Sequence, residues 1–187
     1  MKIVMVKRLL KNAIYAVGAL VLSVAACGCD HVDFDRIPPT NVRLSFDTRA
    51  EWERYGTPGA LDHRRFILDG NLRVPSDFPW TGLTYTGFGG ILLVGDLSGA
   101  PYAYDLACPV EVNRNVRIEI DTQENVAYCP KCGSRYSVFN NYGSPISGEA
   151  RKLKRGLRRF NVGPGINGEF MVVTLSLIHI SEPTRPY

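Results

Sequence analysis

Three cysteines in the second half of the chain have the type and spacing to do chemistry. Cys108 opens the triplet Cys108-Pro109-Val110, and Cys129 and Cys132 stand in Cys129-Pro130-Lys131-Cys132-Gly133-Ser134-Arg135-Tyr136. A thiolate is a soft ligand, and the C-P-K-C-G turn is half of a zinc knuckle. Cys108 supplies a third ligand, and Glu111 or a water supplies the fourth. Strong zinc signatures show four protein ligands, so three is a weaker signal. Three is also odd, so any disulfide among them leaves one thiol over. Gly133 suits the positive φ of a tight turn. Ser134 caps that turn, and Tyr136, at the start of a strand, belongs to the core.

The elements that position these residues read as β almost throughout. Val42, Leu44 and Phe46 alternate with polar residues, which predicts a half-buried strand. Thr48 with Glu51 forms a capping box for a short helix ended by Gly56. Further strands are predicted over 65–68, 90–94, 102–105, 116–120, 126–128, 135–139, 157–162 and 170–174. The segment 78–90, rich in Pro, Gly and aromatics, is predicted as an irregular loop whose Phe78, Trp80, Tyr85 and Phe88 pack on the core. Many short strands with little helix indicate an all-β sandwich or barrel. A thioredoxin-like use of C-x-x-C is disfavoured, because the context is β–turn–β.

The order of motifs from Gly90 to Val162 resembles the Rieske 2Fe–2S family. The shared pattern comprises the apolar strand, the Ala103-Tyr104-Asp105-Leu106-Ala107-Cys108-Pro109 approach, the two cysteine boxes, Pro145 to Ala150, and Leu153 followed by Phe160-Asn161-Val162. The resemblance covers about a third of the chain. It implies small antiparallel sheets with the two boxes on adjacent loops. It also implies cluster-ward donor roles for Ser134 and Tyr136. Both histidines of the family's boxes are missing: Val110 and Cys132 occupy their positions. His31 and His63 lie outside the boxes.

The resemblance places Cys108 opposite Cys129 or Cys132, and three uses of the sulfurs remain open. They are ordered as a disulfide or plain structural turn, then a zinc site, then an atypical 2Fe–2S cluster with a fourth ligand such as Glu111. The first two make the domain a structural or binding module. The third makes it the electron-transfer component of an envelope oxidoreductase. No nucleophile–base pair, phosphate loop or supported acid pair is present, so the chain is not read as catalytic by itself.

Residues 1–26 read as a lipoprotein signal peptide: Lys2, Lys7, Arg8 and Lys11 precede an apolar run ending Val24-Ala25-Ala26-Cys27. Cys27 is the expected lipid attachment site, with Cys29 as the alternative. This predicts a protein of the bacterial cell envelope, anchored to the membrane and facing the periplasm or the exterior. Residues 27–40 read as a tether and 41–174 as the β domain. Residues 175–187 resemble a translated sequencing adapter and are set aside as non-native. Without leader and tail, 17 basic residues face 17 acidic ones, so nucleic acid is not an expected partner. One local excess stands out. Residues 151–159 hold six basic residues, read as an exposed hairpin with Leu153 and Leu157 turned inward, or else as a patch for an anionic surface.

Overall fold

The computed structural model describes residues 31–164 and 171–174, and the expected leader, the two candidate lipid-attachment cysteines Cys27 and Cys29, and the adapter-like tail lie outside them. The all-β expectation holds. Twelve strands, β1 (Val42–Ser45), β2 (His63–Asp69), β3 (Leu72–Val74), β4 (Tyr85–Thr86), β5 (Ile91–Gly95), β6 (Pro101–Asp105), β7 (Glu119–Asp121), β8 (Val126–Tyr128), β9 (Arg135–Ser137), β10 (Ser144–Ser147), β11 (Arg159–Pro164) and β12 (Met171–Thr174), form two antiparallel sheets among the described residues. One sheet runs β3-β2-β5-β6-β11-β12-β1-β4 and the other β10-β9-β8-β7. Neither closes into a barrel.

The central strand β5 explains how the two parts join. All five of its residues are buried, because it is covered on both faces. Ile91 and Leu93 face one core with Leu44, Phe46, Phe66 and Phe78. Leu92 faces the other with Tyr104, Leu106, Ala127 and Tyr136. That second core holds the small sheet, and with it the cysteine loops, against the large one. Each fully buried aliphatic or aromatic side chain here contributes roughly 1.5–3 kcal/mol relative to exposure.

The local signals act as expected at several points. Helix α1 (Arg49–Tyr55) starts where the Glu51 N–H donates to Thr48 Oγ1, and it ends where the Gly56 N–H donates to the Trp52 carbonyl. Phe78 is buried in edge-to-face contact with Phe46 and Phe66, and Trp80 packs beside it. Tyr85, however, is exposed rather than packed on the core.

Three expectations are corrected. The strand predicted over 116–120 is split. Only β7 pairs with β8, whereas Cys108 N–H donates to the Val116 carbonyl and Ile118 N–H to the Leu106 carbonyl. Hydrogen bonding to the Cys108 segment takes the first half away. The basic run is not a hairpin: it starts in the helical turn α2 (Glu149–Lys152) and ends in β11. Leu157 is buried as predicted, but Leu153 is 42% exposed. Within the segment read as a tether, Ile37 is fully buried and the Asp33 N–H donates to the Lys154 carbonyl, so residues 32–37 lie on the domain.

Candidate metal centre

Two loops, one from each sheet's side of the second core, carry the three sulfurs. Cys108 follows β6, and the Val112 N–H donates back to its carbonyl at 2.9 Å to close the first loop. The second loop joins β8 to β9. There the Gly133 N–H donates to the Cys129 carbonyl and the Cys129 N–H to the Ser134 carbonyl, both at 2.9 Å. Gly133 sits at φ +67°, the left-handed conformation its lack of a side chain was expected to serve.

These turns bring the sulfurs of Cys108, Cys129 and Cys132 within 4.8 Å of one another, close enough to hold a metal ion. All three are free thiols; Cys108 and Cys129 are buried and Cys132 is half-buried. Cys108 Sγ and Cys132 Sγ stand 3.7 Å apart. Zinc–sulfur bonds of about 2.3 Å at tetrahedral angles separate two sulfurs by about 3.8 Å, so this pair already spans one edge of such a site. No fourth His, Cys, Asp or Glu joins the group among the described residues. Glu111, the sequence candidate, instead meets Lys131 Nζ at 2.5 Å. The open side of the group is that of Cys132, where Lys131 and Gly133 are exposed.

The surroundings treat the three thiols differently. Burial pushes the Cys129 thiol up to about 12, although the N–H groups of Cys132 and Lys131 pull against it. Burial also raises Cys132, but the Ser134 hydroxyl and N–H, with the neighbouring Cys129 and Cys108 thiols, outweigh it and leave Cys132 below the ordinary thiol range. A cation among the sulfurs would offset the desolvation that opposes the Cys129 thiolate.

Ser134 and Tyr136 do more than cap and fill. The Cys132 thiol donates to Ser134 Oγ at 3.2 Å, and the same oxygen accepts the buried Ala150 N–H at 3.0 Å. Gly148 lies so close that a Cβ there would come within 2.8 Å of Ser134 Cα. Tyr136 is fully buried with its hydroxyl 3.5 Å from Cys108 Sγ, and burial raises its pKa, so the hydroxyl keeps its proton. Replacing Ser134 with Ala orphans the Ala150 N–H, and a urea titration is expected to show a loss of about 1–3 kcal/mol.

No family model, curated protein or solved structure matches the chain. The residues themselves test whether a normal Rieske cluster, with its two histidines, fits here. A Rieske cluster needs two thiolates on one iron and two histidines on the other. Among the described residues no histidine joins the sulfur group, and Val110 and Cys132 stand where the resemblance would place the two histidines. The residues do not fit that cluster.

Sequence reasoning missed one buried residue beside the site. The Asp105 carboxylate, 1% exposed, accepts the N–H groups of Phe88, Gly89 and Ala107 at 3.0, 3.0 and 2.8 Å. It fixes the 87–89 loop to the approach of Cys108. An acid at the end of an apolar strand, directly before the first box, was the available signal.

Proposed function

We propose that the chain is a lipid-anchored envelope protein whose Rieske-like domain serves as a structural or binding module, its two box loops joined by one zinc ion on Cys108, Cys129 and Cys132. The observation that carries the zinc reading is the mutual closeness of three sulfurs. A disulfide needs only two thiols, and a binuclear cluster spreads its ligands over two irons, whereas one tetrahedral ion gathers them at a single point. Bound zinc would supply a closed thiolate–metal link between the loops, with water completing its shell. Ser134 holds the Cys132 sulfur, Tyr136 holds the Cys108 sulfur, and Asp105 holds the backbone leading to it.

A second reading rests on the 3.7 Å approach of Cys108 to Cys132. In an oxidising compartment an external disulfide could take the two electrons, leaving a Cys108–Cys132 bridge and a free Cys129 thiol. Alkylation in denaturant with a chelator and no reductant, mapped by mass spectrometry, separates the two readings. The zinc reading predicts alkylation at Cys108, Cys129 and Cys132 alike. Modification of Cys129 alone would establish the bridge and remove zinc.

A further inference from the structure

The basic run 151–159 has no role in the metal centre. Arg151, Lys152, Lys154 and Arg159 are exposed. Two apolar side chains sit among them: Leu153 is 42% exposed, and Ile146 is 37% exposed with its carbonyl accepting from Arg151 Nη1.

The beginning of the described chain is fixed to this same face. Asp33 bridges to Arg155, the Gly156 N–H donates to the Asp33 carbonyl at 2.8 Å, and Arg158 Nη1 donates to the Ile37 carbonyl at 2.6 Å. The Arg159 guanidinium lies over the Phe34 ring, 4.7 Å from its centroid. Cys29 is three residues before Val32 and Cys27 is five. At no more than about 3.6 Å per residue these spans reach roughly 11 and 18 Å. An acyl chain on either cysteine therefore keeps the basic face close to the bilayer surface, whatever path the chain takes.

We propose that this face rests on anionic phospholipid headgroups, an inference that builds on the lipid-anchor reading. With Arg36 added, seven basic residues of the run and the docked segment stand against Asp33, Asp35 and Glu149 among the described residues, and Asp30 just before them in the sequence. The rest of the mature chain carries no such excess. A basic stretch next to a lipid anchor is attracted to an anionic leaflet over about a Debye length, and exposed Leu153 and Ile146 can enter the headgroup region. The contact would set the domain's orientation as well as its position.

Lysine acetylation of the purified full chain, bound to vesicles and read by mass spectrometry, tests this. On phosphatidylglycerol vesicles, Lys152 and Lys154 are expected to react at least threefold more slowly than on phosphatidylcholine vesicles, with Lys131 unchanged. High salt should abolish the difference. Equal labelling of Lys152 and Lys154 on the two vesicle types would overturn the proposal. The mass of the N-terminal peptide reports acylation separately. An unacylated chain protected on phosphatidylglycerol would defeat the anchor and leave the basic face standing. An unacylated chain left unprotected there would defeat both.

Discussion

Stripping zinc from the full chain with a chelator is expected to lower its thermal midpoint by about 8–16 °C. The magnitude follows from linkage. Zinc at about a thousandfold above its dissociation constant stabilises the folded state by about 4 kcal/mol, and each kcal/mol moves the midpoint of a chain this size by about 2–4 °C. The site supports a coupling of that order, because the ion would tie two loops rooted in the core shared by both sheets. Cys129→Ser should show the same loss before any chelator is added and no further loss afterwards. A chelator that lowers wild type and Cys129→Ser equally would place the effect elsewhere.

Asp105→Ala is expected to cost about 3–5 kcal/mol in urea unfolding, a large share of the roughly 5–15 kcal/mol that hold a domain together. Three N–H groups lose their acceptor at once, and each buried donor left unpaired costs about 1–3 kcal/mol before the loop relaxes. Asp105→Asn should cost about half as much. Its oxygen can keep the Gly89 and Ala107 donors, while its amide faces the Phe88 N–H. A cost under about 1 kcal/mol for Asp105→Ala would show that the 87–89 loop does not depend on it.

The same carboxyl carries a pH signature. Burial raises it to about 6, against the pull of the three N–H groups and Arg158. Its folded pKa thus lies above the unfolded value of 3.8, and the folded state holds the proton more tightly. This contribution to stability is fully present below about pH 4 and is lost as pH rises through about 6. The difference amounts to about 3 kcal/mol. Asp105→Asn should lack that slope when its stability is measured across the same window.

Much of the fold was legible because its local and tertiary demands agree. The alternation of Val42 and Leu44, the Thr48 cap, and the run Ile91 to Val94 each predict an element that packing then uses. Where tertiary hydrogen bonds compete, the pattern misleads. Val116, Ile118 and Ile120 alternate like one strand, yet the backbone beside Cys108 claims the first two. Strand β10 was missed because Pro145 and Gly148 obscure its pattern. Leu153 was assigned inward by spacing alone, which cannot register that α2 ends one residue before it.

The candidate centre was legible in its sulfurs and less so in its partners. Cysteine spacing and the family resemblance bring Cys108 to Cys129 and Cys132, since two turns with fixed hydrogen bonds need little else. Glu111 was a fair candidate by proximity in sequence, but Lys131 in the facing loop takes its carboxylate. Asp105 and Gly148 act through backbone contacts across the fold; the sequence signals an acid at the end of an apolar strand but not the N–H groups it holds.

The most direct test of the zinc assignment is metal and acid-labile sulfide analysis of the full chain, purified without air or chelators. One zinc per chain, with neither iron nor sulfide, is the predicted result. Iron and sulfide in equal amounts, with visible charge-transfer bands, would contradict it and return the domain to electron transfer. A chain with no metal at all would contradict it as well.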